Sequence, residues 1–346
     1  MNTTSNIYEN KKTYLSLAGS GDPWSYLTKT RKDIINSLHD RIPLDEVANI
    51  FNMSLDDLLT EIKPLSDSSL VKKEGNEYLP TFLIVNLDET KLVYEHSKEM
   101  GKVLADHTIS KWSEIDAVFE KLSISENSSL KDQAFMLVGS RILDIGLLGE
   151  LVKDGNLLKV APLRSSLTRP DAQYYFWMIE GELKHLGKYG QEEIDLPWSN
   201  WYYLNFGQSW LNGQRNEARD KTEKKCKDLV KLDRARDSLE LAELLEIPLL
   251  NEEESKNWLK ITEKISKSLL EVMKGKEESL KLLFQNLESS RYTNNSFGEF
   301  ICWYTHLAYP WAIDFLIEET LINIPSEHYS ELIIHRKEPD GLLTKL

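Results

Sequence analysis

The sequence predicts an α+β fold that is mostly α-helical and contains a small antiparallel sheet. Apolar residues recur every three or four positions along much of the chain, which is the spacing of helices with one buried face. Residues 174–179 are instead aromatic and apolar without interruption, as in a buried strand. The chain has 346 residues, 41% of them hydrophobic, which is enough for a large core and more than one domain.

The charge and the cysteine content exclude several classes of protein. A net charge of −14 argues against a whole-surface affinity for nucleic acid or anionic membrane, because such surfaces need surplus Lys and Arg. The two cysteines form neither a disulfide framework nor a zinc ladder. We read no signal peptide, and we expect the most apolar run, residues 300–317, to be a core helix because it includes Asp314. A cytoplasmic protein without membrane contact is expected.

The chain divides into four stretches. Residues 1–24 are polar and contain Gly19, Gly21 and Pro23, which predicts a flexible arm that ends in a turn. The other predicted units are a helical N-terminal domain, a helical linker and an effector domain, over residues 25–85, 86–122 and 123–346.

The N-terminal domain has a recognisable order of elements. A first helix is predicted to about Leu38, Pro43 is suited to the start of a second, and Ser54 is a good N-cap for a third. A hairpin then follows, with its tip at Gly75-Asn76. The order is helix, helix, turn, helix, hairpin.

This order resembles the winged helix-turn-helix family of bacterial transcriptional regulators over about residues 25–85. The residues that carry the resemblance are Leu44, Val47, Ala48, Met53, Ser54, Leu58, Ile62, Leu65, Leu70 and Val71. The resemblance implies that the third helix lies in the major groove of DNA while the hairpin, or wing, touches the backbone. The residues then expected to contact double-stranded DNA are Ser54, Thr60, Lys63, Lys72 and Lys73.

Charge argues against strong DNA binding by this domain. Between Arg31 and Pro80 there are six basic and ten acidic residues, a net charge of −4. Asp56 and Asp57 occupy the turn that normally approaches the bases. DNA binding would therefore depend on a few lysines, doubled in a homodimer. The alternative is an interaction module whose acidic winged helix docks a basic protein.

The predicted linker reads as a long helix and then a shorter one that begins near Ser110. Its narrow apolar stripe is expected to dock on the effector domain or on a second subunit, and comprises Leu92, Met100, Val103 and Leu104. His96 and His107 share a face but would lie roughly 16 Å apart, too far to share one metal ion.

The effector domain is expected to hold a core helix region over residues 129–163 and one antiparallel sheet over residues 174–206. One face of that sheet either lines a cavity or is simply core. A cavity with aromatic walls and a carboxylate suits an aromatic or cationic small molecule. Its expected ligand-binding residues are Tyr174, Phe176, Glu180, Trp201 and Tyr203.

No catalytic residue, cofactor or metal site is predicted. Residues 212–290 read as solvated helices, with Cys226 exposed. Glu299, Cys302 and His306 share one helical stripe, for which buried packing is favoured over metal binding. The sequence lacks the known catalytic motifs, so an enzyme with a regulatory winged helix is the weaker alternative. The expected function is a DNA-binding transcription regulator with a C-terminal ligand- or partner-sensing domain.

Overall fold

The computed structural model describes residues 11–165, 169–196, 201–208, 214–231, 237–292 and 296–335. The helices are α1 (Lys29–His39), α2 (Leu44–Ile50), α3 (Leu55–Asp67), α4 (Leu87–Ser110), α5 (Trp112–Phe119), α6 (Leu130–Ala134), a π-helix (Phe135–Asp144), α7 (Ile145–Asp154), α8 (Gln214–Lys231), α9 (Ser238–Leu245), α10 (Glu252–Lys274), α11 (Glu277–Asn286) and α12 (Ser296–Glu318). The strands are β1 (Thr13–Ser20), β2 (Val71–Glu74), β3 (Glu77–Pro80), β4 (Leu83–Val85), β5 (Gln173–Glu180), β6 (Tyr189–Asp195), β7 (Trp201–Gln208), β8 (Leu249–Leu250) and β9 (Tyr329–His335). The predicted fold class, α+β with mostly helices and small sheets, is confirmed.

The N-terminal helices bury their apolar faces in a core of their own. Helix α1 is capped by Thr28, whose hydroxyl accepts from the backbone amide of Arg31. The buried residues of α1, α2 and α3 meet one face of strand β5, where Tyr174, Phe176 and Met178 are buried. The helices and the hairpin follow the order that the sequence predicts.

The expectation of a flexible arm over residues 1–24 is wrong for Thr13–Ser20. This segment is strand β1, which pairs antiparallel with β5 from Thr13 opposite Glu180 to Ser20 opposite Gln173. Strand β4 pairs parallel with the other edge of β5. Strand β5 therefore has a partner on each edge, which satisfies its backbone groups. No local pattern could indicate the pairing, because β1 and β5 lie far apart in the sequence.

Helix α4 is part of the main core and is not a linker. It packs along α12, and Met100 and Leu104 are buried as members of the main apolar cluster. Gly101 allows this close approach, because a Cβ atom there would lie 2.3 Å from the Cβ of Trp311. The remaining stripe residues, Leu92 and Val103, are exposed on another face. Within the described part of the chain, no helix is long and apolar enough to cross a membrane.

The predicted single antiparallel sheet is in fact two separate sheets. Strands β6 and β7 pair with each other and form a four-stranded sheet in the order β6-β7-β9-β8, whereas β5 belongs to the sheet β1-β5-β4. The break follows a 3₁₀ turn, Leu183–Leu186, which lies within the range predicted as one sheet. Cys226 on α8 packs in a small apolar cluster against the second sheet, so its expected exposure is also wrong.

Candidate nucleic-acid interface

Helix α3 begins with a complete capping box. The hydroxyl of Ser54 accepts from the backbone amide of Asp57, while the Asp57 carboxylate accepts from the backbone amide of Ser54. Asp57 and Asp56 also lie in the first turn, where the helix dipole favours negative charge. The cap therefore gives these acidic residues a structural reason to be present.

Strands β2 and β3 form a tight hairpin beside α3. The register runs from Val71 opposite Pro80 to Glu74 opposite Glu77, which leaves Gly75-Asn76 as the turn. Gly75 has a φ of +60°, a conformation that glycine adopts without steric penalty. The strand that follows the turn ends at Pro80, because β3 pairs with β2 whereas the next strand, β4, pairs with β5.

An open groove of about 610 Å³ separates α3 from the hairpin. It is lined by Leu59, Ile62, Lys63, Ser66, Ser69, Val71, Lys72, Lys73, Tyr78 and Thr81. Three of the five residues expected to bind DNA, Lys63, Lys72 and Lys73, are thus brought to one place by two different elements. The groove combines an apolar wall with three ammonium groups.

The three lysines differ in how far their charge is compensated. Lys63 forms an ion pair of 2.7 Å with Asp67, and Lys72 forms one of 2.6 Å with Glu74. Lys73 has no such pair within the described ranges, and its ammonium lies 5.5 Å from the centre of the Tyr78 ring. All three are exposed or half-buried, so their ammonium groups can be reached from solvent. Exposed ion pairs are weak and can exchange one carboxylate for a phosphate.

The other two expected DNA contacts lie outside the groove. Ser54 is engaged in the helix cap, and the hydroxyl of Thr60 donates to the backbone carbonyl of Asp56 at 2.9 Å. Both side chains are exposed.

Arg164 contacts two residues that line the groove, and no pattern in the sequence points to it. Its guanidinium donates to the carbonyl of Ser69 at 3.2 Å and to the carbonyl of Thr81 at 3.0 Å, and both residues line the groove. It also donates to the carbonyl of Tyr174 on β5 and to the carboxylate of Glu299 on α12. One side chain therefore ties the groove to the first sheet and to the main core.

The Arg164–Glu299 ion pair is almost completely buried. The side chains of Arg164 and Glu299 are only 2% and 1% exposed. Burial raises the pKa of Glu299 to about 7, and the neighbouring Arg164 opposes this increase. A sequence signal existed only for Glu299, as a charged residue within an apolar helix, and gave no indication of its partner.

The expected aromatic ligand cavity is not assembled. Tyr174 and Phe176 pack against the N-terminal helices, and the rings of Phe82 and Phe176 lie 4.7 Å apart. Trp201 and Tyr203 belong to the second sheet and to a separate apolar cluster. The correction follows from the separation of β5 from β7, because both faces of β5 are covered by core residues.

Glu180, the carboxylate of that expected cavity, lies at the end of β5 with Lys11 3.7 Å away. It borders a depression of about 450 Å³ with Asn86, Leu87, Asp88, Glu89, Asn286 and Glu288. Its lining is acidic rather than aromatic.

The side chains of the helical stripe Glu299, Cys302 and His306 have partners within the protein. In the part of the chain that the structure describes, no group of three or more metal-ligating side chains is placed to hold an ion. The ring nitrogen Nδ1 of His306 lies 2.7 Å from the carbonyl of Cys302, and burial raises the pKa of the Cys302 thiol. The two histidines of α4 have separate partners, since His96 contacts Tyr304 and His107 contacts Ser268.

A comparison of the chain with protein-family models, with curated proteins and with solved structures finds no match.

Proposed function

We propose that this protein is a cytoplasmic transcription regulator that binds double-stranded DNA through a winged helix-turn-helix formed by α1, α2, α3 and the β2–β3 hairpin. The observation that carries the proposal is the groove between α3 and the hairpin, where Lys63, Lys72 and Lys73 converge. A helix and a wing that flank one cationic groove suit a sugar-phosphate backbone passing between them.

The proposed contact is local and depends on few charges. The whole chain carries a net charge of −14, so its long-range field repels DNA. Lys63 and Lys72 already have carboxylate partners, which reduces what each can contribute. A homodimer would present six groove lysines to one duplex, and we propose that the protein acts in this form.

The effector function is proposed to act through the core beneath the groove. Arg164 contacts two groove residues from one side and Glu299 from the other. A ligand or partner that shifts α12 would thereby alter the groove and its affinity for DNA.

A second candidate is a protein-binding function for the same groove. It is favoured by the apolar wall formed by Leu59, Ile62, Val71 and Tyr78. An amphipathic helix with acidic flanks would bury its apolar face there and pair with the lysines. A basic protein partner for the acidic first turn of α3 is less favoured than this acidic helix, because Asp57 is engaged in the cap.

The test is fluorescence anisotropy of a labelled duplex from upstream of the protein's own gene, with a scrambled duplex as reference. The groove variant carries Lys63→Ala, Lys72→Ala and Lys73→Ala. The control carries Lys256→Ala, Lys274→Ala and Lys281→Ala, which removes three other lysines, each in an ion pair with a carboxylate.

We expect the wild type and the control variant to bind the duplex and the groove variant to lose binding. The DNA-binding function is rejected if the wild type does not bind at low salt, or if both triple variants lose binding equally. In either case, capture of an acidic amphipathic peptide by the wild type, but not by the groove variant, would support the second candidate.

A further inference from the structure

The segment before α7 is an unusually long π-helix, Phe135–Asp144. The backbone amide of Ile145 donates to the carbonyl of Ser140, five residues earlier, which is the hydrogen bond that defines this wider turn. π-Helical turns are rare and occur often at functional sites, because they change the direction of side chains relative to an α-helix. Here the segment directs Ser140 and Arg141 towards strand β6, where both contact Gln191.

Arg141 has few partners for its charge. Within the described ranges its guanidinium makes one hydrogen bond, a long one of 3.4 Å to Oε1 of Gln191, and has no carboxylate at ion-pair distance. A guanidinium has five N–H donors, so most of them are available. Burial lowers the pKa of Arg141 to about 10, while the charge of Asp144 opposes this decrease. The residue as a whole is half-buried and can be reached from solvent.

Gln191 adds a further hydrogen-bond donor next to the guanidinium of Arg141. Its Oε1 atom accepts from Arg141 and, at 2.5 Å, from the hydroxyl of Ser140. An arginine can only donate, so the oxygen and nitrogen of this amide cannot be exchanged. The amide nitrogen of Gln191 makes no hydrogen bond within the described part of the chain and can therefore donate to a further group.

We infer that Arg141 and the Gln191 amide nitrogen form a binding site for an oxyanion, the carboxylate or phosphate group of a small molecule. The planar guanidinium can donate two parallel hydrogen bonds to either group, and Gln191 supplies another donor. The nearby negative charge of Asp144 limits the site to a single anionic group and disfavours a polyanion. This inference does not depend on DNA binding, because neither Arg141 nor Gln191 lines the groove.

The site is tested by thermal unfolding and calorimetric titration of the full chain with sodium phosphate and, separately, sodium acetate. Sodium chloride at the same ionic strength is the reference. The nine tryptophans provide the unfolding signal. The variants are Arg141→Gln and Arg141→Lys, and the control is Arg41→Gln, which removes an exposed arginine elsewhere.

We expect phosphate, acetate or both to raise the melting temperature of the wild type and of the Arg41→Gln control relative to chloride. Arg141→Gln should abolish this increase. Arg141→Lys should weaken the affinity about tenfold or more, because an ammonium cannot form the paired contact. The stronger of the two anions identifies the class of ligand.

Two results would overturn the inference. One is the absence of any increase over chloride with either anion in the wild type. The other is an equal increase in the wild type and in the Arg141 variants, which would show that the anions bind elsewhere. If Arg141→Gln does not fold, Arg141→Lys decides, since it keeps the positive charge but not the planar donor group.

Discussion

Replacing Arg164 by Ala should be among the most destabilising single changes in the chain. The guanidinium is 2% exposed and donates to Glu299 and to the backbone carbonyls of Ser69, Thr81 and Tyr174. Its removal leaves a buried carboxylate and three backbone carbonyls, one of them buried, without this donor. Breaking a buried ion pair in this way typically reduces the free energy of unfolding by about 3–5 kcal/mol.

The size of the effect should depend on what remains of the pair. Glu299→Gln keeps an oxygen that accepts from Arg164 but removes the countercharge, so we expect a smaller loss, on the order of 1–3 kcal/mol. In the double variant Arg164→Met and Glu299→Met, both charges are gone and apolar atoms fill the space. Apolar replacement of a whole buried pair is often nearly neutral, so the double variant should lose much less than the sum of the two single Met variants.

The assay is urea unfolding followed by circular dichroism. The free energies of unfolding of the wild type, Arg164→Met, Glu299→Met and the double Met variant are combined in a double-mutant cycle. A coupling on the order of 2 kcal/mol or more is expected, because each single variant leaves one buried charge alone. The reasoning is refuted if Arg164→Ala loses less than about 1 kcal/mol, or if the two Met substitutions are additive.

Three further changes have expected outcomes. Burial lowers the pKa of His39 from 6.5 to about 4, so between these pH values the unfolded chain binds a proton that the folded chain excludes. The free energy of unfolding should therefore fall by up to about 3 kcal/mol as the pH decreases from 6.5 to 4. In urea unfolding at several pH values, His39→Gln should reduce this pH dependence. Gly101→Ala should reduce the free energy of unfolding by about 2 kcal/mol or more, because its Cβ atom would overlap α12. Gly275→Ala should be neutral or slightly stabilising, because the added Cβ has room and the backbone there is helical. An equal loss in both variants would contradict the close approach of α4 and α12. Asp56→Asn should strengthen duplex binding about threefold at low salt, since it removes a negative charge from the first turn of α3 but keeps the Asp57 cap. Weaker binding would count against DNA as the partner.

Local patterns were sufficient to predict the N-terminal helices and the hairpin. Ser54 and Gly75-Asn76 mark their boundaries through short-range chemistry, a cap and a tight turn. The same patterns placed three lysines on neighbouring elements, and the structure brings these into one groove.

Features that depend on distant pairing were not predictable. The sequence predicts an arm at the position of strand β1, because the partner strand β5 lies far along the chain. The uninterrupted aromatic strand correctly indicated that both of its faces are covered, but it could not show that core residues, and not a ligand, cover them. Cys226 was expected to be exposed because its neighbours in sequence are charged, although its own side chain faces the second sheet.

Arg164 was missed for a related reason. It lies in an irregular segment between α7 and β5, where no periodicity marks one side as buried. Its importance comes from contacts with residues that lie 83 to 135 positions away in the sequence. Only the assembled structure reveals such a residue.

The central claim, that the groove lysines bind a DNA backbone, is tested most directly by the salt dependence of duplex binding. Each phosphate contact contributes about 0.9 to the slope of log K against log salt concentration. Removing Lys63, Lys72 and Lys73 should therefore reduce the slope by up to about 3 for each bound chain, and by less where the carboxylate partners of Lys63 and Lys72 reduce their contribution. The control triple variant should keep the wild-type slope. An unchanged slope in the groove variant would contradict the account, because the lysines would then contact no phosphate.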